Sequence, residues 1–410
     1  MVSATQDLLT YLRSPQAIRA RCHRLLELAD QDRLPHFRCH LERLPAVARY
    51  VLDVTRANYP TLDIPFHSRW RHFEVGGEPR LAELTAGMAA WEARDRARTQ
   101  FDLAITSVLL DAGAGPQWQY QEAETGKTYS RSEGLAVASF RAFAAGLFSS
   151  QPDQPWRADA AGLQALTVDR LATAFQVSGT NPLVGLEGRV QLLRRLGQAV
   201  QGPSPLFPGE RPGGLVDFLT ARGQGGALSA VAVLEAVLTG FGDIWPGRLA
   251  IAGVNLGDVW FHSTLAQIPD CTDGYVPLHK LSQWLTYSLL EPLQNLGWAI
   301  ADLDQLTGLA EYRNGGLCLD LGLLTLKDPE QAHPTHAPSS ELIVEWRALT
   351  VALLDHVADS LRQTLGLTPA ALPLVKILQG GTWAAGRRLA AERRPEGRPP
   401  LAIASDGTVF

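Results

Sequence analysis

Residues 251–290 read IAGVNLGDVWFHSTLAQIPDCTDGYVPLHKLSQWLTYSLL and place two carboxylates, Asp258 and Asp273, among aromatic and apolar residues. A carboxylate in such surroundings either pairs with a cation or has a displaced pKa. The run 279–290 continues with leucines at helical spacing, and Pro277 suits the first turn of that helix. We therefore predict that Asp273 lies in the loop before a helix N-terminus, where backbone N–H groups favour an anion.

Two interpretations of these carboxylates stay open. If they lie near each other and their surroundings push their pKa values apart, they can perform acid/base chemistry. Alternatively, Asp273 only caps the helix and Asp258 is a solvated turn residue.

The composition is that of an ordinary water-soluble protein. The chain has 410 residues, 46% of them hydrophobic, and a formal charge of −5. This length suffices for a large core or for two to three domains. With 37 Lys+Arg against 42 Asp+Glu, there is no basic excess for nucleic acid, whereas a small anionic ligand is compatible with this balance.

The sequence also predicts the cellular location of the protein and whether it contains disulfides, metals or cofactors. The N-terminal residues lack the apolar run of a signal peptide, and no stretch is long enough to span a membrane, so we expect a cytoplasmic protein. The four cysteines are too scattered for a disulfide framework and lack the paired spacing of zinc sites. Walker, GxGxxG, HExxH and GxSxG motifs are absent, and we expect no cofactor and no metal.

Helical spacing dominates the remainder of the chain, which predicts a mainly α fold with one or two small β-hairpins. Residues 117–120 read as a short strand, and residues 124–127 as a hairpin turn that leads into a helix. Gly315 and Gly316 indicate a turn in a second possible hairpin. The segments with helical spacing are 3–58, 81–110, 182–200, 215–219, 227–238 and 340–365.

The loop PFHSRWRHFEVGG, residues 65–77, concentrates basic and aromatic side chains. Arginines and histidines held against aromatic rings suit a phosphate or another small anion. The alternative is that they pair with surface carboxylates and that the tryptophan is core. The candidate anion ligands are His67, Arg69, Arg71 and His72.

A hairpin that feeds a helix can present several side chains to one pocket. We expect Asp111, Trp118, Tyr129 and Glu133 to share such a pocket, unless the hairpin only packs on its own helix. In the helix 340–365, Glu345 and Arg347 lie on different faces, so that one of them can point into the pocket.

A series of motifs in order resembles the uracil-catabolism protein 4 family of fungi and bacteria. The resemblance covers roughly residue 10 to the C-terminus and rests on YPTLDIPFHSRWRHFEVGG, YSRSEGLAVASF, LGDVWFHS, DGYVPLHKLSQWLTYSL, LAEYRNGGL, LIVEWRALTV and SDGTVF. It implies a place in a pathway that converts uracil to urea through ribosylated intermediates.

A more distant resemblance, over roughly residues 104–362, is to the queuosine 5′-phosphate N-glycosylases, which have a DNA-glycosylase-like helical core. WQYQEAETGKTYSRSEGLAVASF is similar to their strand, hairpin and helix, and the segments at 181–184, 258–260, 273–277 and 345–347 resemble four further motifs. The arginine of their Asp-Tyr-Arg-Ile-Pro segment is missing here, and Gly134 replaces a tryptophan. A second Glu-x-Arg, at Glu311 and Arg313, makes the match of the last motif ambiguous.

Together these resemblances imply an N-ribosyl hydrolase that acts on ribosylurea or its 5′-phosphate. Cleavage passes through a cation-like state that needs a negative charge, a base for water and a donor for the leaving nitrogen. We expect Asp273 to stabilise the cation or activate water and Asp258 to contact the leaving group, with the roles open to exchange. The other implied substrate contacts are Trp260, Tyr275, Glu345, Arg347, Glu311 and Arg313, and Lys280 joins the phosphate ligands.

The expected organisation is an N-terminal helical region at 1–100, a glycosylase-like core at 101–365, and a tail at 366–410 that wraps the surface because it is short in core residues. Whether 1–100 is a separate domain or a helical cap on the same core stays open. The expected partner is a small N-riboside or nucleoside phosphate, with neither nucleic acid nor membrane. Two alternatives remain. One is an amidohydrolase that attacks the urea carbonyl, and the other is a non-catalytic nucleotide-binding partner of a pathway enzyme.

Overall fold

A computed structural model describes residues 2–404, and within them the chain is mainly α-helical, as predicted. The closing SDGTVF motif lies outside the described residues. The helices are α1 (Val2–Leu12), α2 (Pro15–Asp30), α3 (Leu44–Asn58), α4 (Arg69–Phe73), α5 (Arg80–Gly87), α6 (Ala93–Leu109), α7 (Arg131–Ala144), α8 (Ala160–Gln164), α9 (Val168–Ala174), α10 (Leu186–Ala199), α11 (Leu215–Thr220), α12 (Ala230–Gly240), α13 (Lys280–Asn295), α14 (Tyr312–Asp320), α15 (Glu341–Leu365), α16 (Leu374–Ile377) and α17 (Trp383–Arg393).

The strands are two or three residues long and pair two by two. The hairpin predicted after residue 117 is confirmed as β2–β3, and its turn contains Gly126 at φ +68°. The strands are β1 (Phe37–Cys39), β2 (Gln119–Gln121), β3 (Thr128–Ser130), β4 (Ala227–Ser229), β5 (Ala250–Ile251), β6 (Val254–Asn255), β7 (Val259–Phe261), β8 (Tyr275–Pro277), β9 (Ala299–Ala301), β10 (Leu324–Leu326), β11 (Thr335–His336) and β12 (Ala402–Ile403).

The described chain divides into two compact units, each assembled from separate segments. Unit 1 contains residues 2–67, 248–283 and 302–404. Unit 2 contains residues 68–247 and 284–301. Helix α13 supplies its first turn to unit 1 and the remainder to unit 2. The boundaries predicted at residues 100 and 365 fall inside these units.

Unit 1 is built around α15, which has apolar residues on all sides over most of its length and is therefore buried. Helices α2 and α3 pack against α15, and α14 packs against both α15 and α17. The β7–β8 hairpin contacts α2 and α15, and α1 closes a small cluster of Leu9, Leu12, Leu256 and Val259. Much of the predicted tail belongs to this core, because Val375, Leu378 and Leu389 are buried.

Unit 2 is built around α6, in which every residue from Phe101 to Leu109 is buried. Helices α4, α7, α10 and α11 pack against it. The parallel pair β4–β9 ties the chain after α11 to the segment that follows α13. This core holds the predicted basic loop and the β2–β3 hairpin.

Two local predictions were wrong. Pro277 belongs to strand β8, opposite Val259, and the helix begins three residues later at Lys280. Gly315 and Gly316 lie inside helix α14 rather than in a turn. Their small size permits close packing, since a Cβ on Gly315 would lie 2.7 Å from the ring of Trp346.

None of the helices within residues 2–404 combines the length and the apolar composition that crossing a bilayer requires.

Candidate functional site

The carboxylate of Asp258 is held at the N-terminus of α13 in unit 1. Arg347 donates from Nη1 to Oδ1 and from Nη2 to Oδ2, both at 2.8 Å. The indole N–H of Trp260 donates to Oδ1 at 2.6 Å, and the backbone N–H of Lys280 donates to Oδ2 at 2.9 Å. A carboxylate offers about four acceptor positions, and all four are used here.

Asp258 therefore stays ionised. Burial by itself raises the pKa of Asp258, but the charge and hydrogen bonds of Arg347, with the N–H groups of Lys280 and Trp260, outweigh it. The net effect holds the pKa well below its ordinary value. A group in this state stabilises charge and fixes Arg347, and it is unsuited to donating a proton.

Glu311 and Lys280 lie near the pair formed by Asp258 and Arg347. The carboxylate of Glu311 caps α14 by accepting from the backbone N–H groups of Arg313 and Asn314, both at 2.6 Å. Burial raises the pKa of Glu311, against the opposing effects of these N–H groups and of the charges of Lys280 and Arg313. Four of the predicted residues, Asp258, Lys280, Glu311 and Arg347, are thus brought into one charged cluster of unit 1.

Asp273 lies at the opposite end of the β7–β8 hairpin. Its Oδ2 accepts from Nη2 of Arg21 at 2.8 Å, and its Oδ1 accepts from the backbone N–H of Tyr275 at 2.8 Å. Its side chain is 21% exposed. Residues 2–404 thus use about two of its four acceptor positions and leave the others available to a ligand or water.

The two aspartates are too far apart to act on the same atom of a substrate. The strand register places Asp258 beside Leu278 and His262 beside Gly274, four residues further along. At about 3.3 Å per residue, this separates the two ends of the hairpin by roughly 13 Å. It is Asp258, rather than Asp273, whose carboxylate meets the first N–H group of α13.

The aromatic residues of the hairpin differ in exposure. Trp260 is buried, and the guanidinium of Arg248 lies 5.5 Å from the centre of its ring. Tyr275 is half-buried against the α1 cluster. The ring of Phe261, which the sequence reading did not select, is 50% exposed.

Glu345 points away from Arg347, as their predicted placement on different faces requires. Its buried carboxylate accepts from the backbone N–H groups of Phe37 and His36, at 2.7 and 3.3 Å. The buried ring of His262 lies 3.3 Å from the other oxygen. Glu345 therefore joins β1, β7 and α15, whereas Arg313 binds the carbonyl of Gly397 at 2.8 Å.

The basic loop belongs to unit 2 from residue 68 onward. His67 belongs to unit 1, where it contacts Gln379 at 2.9 Å. The buried Arg69 pairs with Asp111 at 2.7 Å and contacts His72 at 3.3 Å. Trp70 is buried, as in the alternative stated for this loop.

The remaining arginine of the loop also pairs with a carboxylate. Arg71 pairs with Glu291 at 2.7 Å, which uses part of its capacity for an external anion. Burial raises the pKa of Glu291, while the charge of Arg71 and the hydroxyl of Ser68 oppose that change.

The residues expected to share a hairpin pocket form two groups in unit 2. Trp118 is fully buried and donates to the carbonyl of Phe175 at 2.9 Å, and Gly134 lets helix α7 approach Trp118 and Tyr129 closely. Asp111 instead accepts from Ser132 at 2.6 Å, next to Arg69. Burial lowers the pKa of Arg69, and the charges of Asp111 and Glu133 only partly oppose that change.

Among the ion-pair networks that sequence reasoning missed, two involve residues that the sequence had singled out. The first is the pairing of Arg21 with Asp273. The second joins Glu122 to Arg80 and Arg141, and Arg80 also donates to the Tyr129 hydroxyl at 3.0 Å. Arg21 and Arg141 lie inside helices with apolar buried faces, and this is the signal that the sequence offers for these networks.

Within residues 2–404, no three His, Cys, Asp or Glu side chains come together in a way that could hold a metal ion.

Comparison with known proteins gives full-length matches. The family described as "Protein of unknown function (DUF1688)" matches residues 11–410. "Protein urg3" of Schizosaccharomyces pombe is 41% identical, over 97% of this chain and 98% of its own length. "Uracil catabolism protein 4" of Lachancea kluyveri is 37% identical, over 98% of both chains.

Proposed function

Because the chain belongs to the DUF1688 family, and its Lachancea kluyveri relative is named for uracil catabolism, we propose that it acts in uracil catabolism as an N-ribosyl hydrolase. Family membership confirms the resemblance to the uracil-catabolism protein 4 family that the sequence motifs indicated. The proposed substrate is ribosylurea or its 5′-phosphate. The products are urea and ribose, or ribose 5-phosphate.

The observation that supports this proposal best is the unequal use of the two aspartates. Asp258 has its acceptor positions filled by Arg347, Trp260 and Lys280, whereas Asp273 has about two acceptor positions left and is partly exposed. A carboxylate with acceptor capacity, fixed by one arginine and one backbone N–H, can orient water or face a developing positive charge.

In the proposed reaction, water adds its oxygen to C1′ and the C1′–N bond breaks with its electron pair on nitrogen. The second proton of water ends on the leaving nitrogen, so that atoms and charge balance. Asp273 stabilises the cation-like sugar and orients the water. Asp258 keeps Arg347 and the start of α13 in place, which is a positioning role and differs from the contact with the leaving group expected from the sequence.

The test is incubation of ribosylurea and of its 5′-phosphate with the wild type and with Asp273→Asn, with urea and ribose species measured together. We expect equimolar release by the wild type and a loss of about 10²–10⁴-fold in kcat for the variant. Thermal unfolding of the variant controls for the lost contact with Arg21. Asp359→Asn, the same change at a carboxylate that is 73% exposed, is the matched control.

Three results would overturn the proposal. Failure of the wild type to release urea from both compounds excludes the activity on them. Release of ammonia without free ribose identifies an amidohydrolase that attacks the urea carbonyl. Tight binding without turnover, unaffected by Asp273→Asn, identifies a non-catalytic nucleotide-binding protein.

A further inference from the structure

Large apolar side chains are seldom exposed in the part of the chain that the structure describes. Four such residues stand out, and two of them, Tyr11 at 37% and Phe261 at 50% exposure, lie close to Asp273 in unit 1. The other two, Trp91 and Val184, belong to unit 2. Small-ligand sites are commonly lined by aromatic rings together with a few polar or charged side chains.

Direct contacts connect these residues. The guanidinium carbon of Arg21 lies 5.7 Å from the ring centre of Tyr11, and its Nη2 donates to Asp273 at 2.8 Å. Gly274 follows Asp273 with φ +65°, and a Cβ there would lie 2.6 Å from Cε2 of Phe261. The glycine is needed both for this backbone conformation and for the approach of the phenyl ring.

Arg21 also has an unused donor. The side chain is 5% exposed, and its Nη1 is buried without an acceptor among the described residues. A buried guanidinium nitrogen without an acceptor costs free energy, and a ligand oxygen would remove that cost. Nη1 and Nη2 belong to one guanidinium, so the open donor of Arg21 lies within a few ångströms of the Asp273 carboxylate.

We propose that Arg21, Asp273, Tyr11 and Phe261 form the subsite that holds the ureido group of the substrate. This assignment rests on the proposed N-ribosyl hydrolase function and names the part of the substrate that the site recognises. A ureido group is planar and presents a carbonyl acceptor next to an N–H donor. Arg21 donates to the carbonyl oxygen, and the two rings flank the plane. One remaining acceptor position of Asp273 accepts from the N–H group, and the other orients the water of the proposed reaction.

This arrangement also assists bond cleavage. When the C1′–N bond breaks, negative charge spreads from nitrogen onto the carbonyl oxygen of the leaving urea. A charged donor on that oxygen stabilises the leaving group. The structure thereby assigns Arg21 a contact with the substrate that the sequence did not suggest.

The test measures binding of N-methylurea, which contains the ureido group without a sugar, by saturation-transfer NMR. The proteins are the wild type, Phe261→Ala, Arg21→Lys and the control Trp91→Ala, which also removes an exposed aromatic ring. We expect roughly tenfold weaker binding for Phe261→Ala and Arg21→Lys, and no change for Trp91→Ala. Phe261 is exposed, so Phe261→Ala keeps the test valid even if Arg21→Lys unfolds.

The results separate this inference from the proposed function. Equal binding of N-methylurea by the wild type and Phe261→Ala would overturn the subsite, even if ribosylurea is hydrolysed. Uracil that binds at these residues more tightly than N-methylurea would assign them to a base edge and overturn the ureido assignment. N-methylurea binding as expected, with no release of urea from ribosylurea, would support the subsite and refute the hydrolase.

Discussion

Arg347 and Asp258 are joined by two parallel hydrogen bonds of 2.8 Å, and this pair lies where helix α13 begins. The guanidinium is almost completely buried, and its Nε also donates to the carbonyl of Ala310 at 3.3 Å. Through Asp258, Arg347 links α15 to the residue before β7 and to the start of α13, and through Ala310 it links α15 to the segment before α14. Such a pair is most consequential when one partner is removed, because the other is then buried without a counter-charge.

Arg347→Met is therefore expected to lower the free energy of unfolding by about 3–5 kcal/mol, since it leaves the Asp258 carboxylate unpaired. Urea denaturation, monitored by circular dichroism, measures this change in the free energy of unfolding. Arg388→Met, which breaks an exposed pair with Glu392, is the matched control and should leave the denaturation midpoint unchanged.

The double variant Arg347→Met with Asp258→Asn checks the reason for that loss. Removing both charges should cost less than the sum of the two single changes, because no unpaired charge remains. Additive losses would show that the two residues act independently.

Glu122 gives an acid-dependent contribution to stability. Burial by itself raises the pKa of Glu122, but hydrogen bonds from Arg80, Thr125 and Arg141 hold it at about 2, against an ordinary value of 4.5. Because the folded pKa is the lower one, the contribution is complete above pH 4.5 and is lost as the pH falls towards 2.

The free energy of unfolding measured between pH 6 and pH 2 should therefore fall less steeply in Glu122→Gln than in the wild type. The variant should also be less stable at pH 6, because its neutral amide pairs poorly with the two arginines. Parallel pH profiles for the two proteins would contradict this assignment.

Gly315→Ala is expected to destabilise the protein by about 1–3 kcal/mol, although alanine is the better helix former. The added Cβ would lie within 2.8 Å of three atoms of the Trp346 indole. Gly179→Ala, where a Cβ meets nothing within 4 Å, is the control and should be nearly neutral. Thermal unfolding of both variants shows whether the clash with Trp346 or the higher helix propensity of alanine determines the stability of Gly315→Ala.

The cysteines should react slowly with iodoacetamide at pH 7.5 in the folded protein. Burial raises the pKa of Cys39 and of Cys318 to about 12, and it also raises the pKa of Cys22 and of Cys271. Mass spectrometry should find alkylation only after unfolding, with hydrolase activity retained before it. Rapid modification of a folded thiol would contradict this expectation.

Regular helices were the most predictable part of the fold. Apolar spacing is a local property, and it correctly indicated the helix at 340–365. The turn residues at 124–127, which are also a local signal, correctly indicated the β2–β3 hairpin. The predictions for Gly315 and Pro277 were wrong because each residue type also occurs in a second structural setting. A glycine permits close packing inside a helix, and a proline is accepted in a short edge strand.

The candidate site was predictable only in part. The aspartates stood out because carboxylates are unusual among aromatic residues. Their partners did not, since Arg21 and Asp273 are 252 positions apart in the chain and Arg347 and Asp258 are 89 apart. Pairings over such distances depend on tertiary packing, which no local pattern records.

The division of the chain into discontinuous segments also bears on its synthesis by the ribosome. Most of unit 2 is the continuous stretch 68–247, so its helices can pack together while the chain is still growing. Unit 1 combines early and late segments of the chain. Helix α2 packs against α15, and strand β1 pairs with β10, so neither contact can form before the later element has been synthesised. The first 67 residues therefore lack most of their packing partners until residues 302–404 have been synthesised.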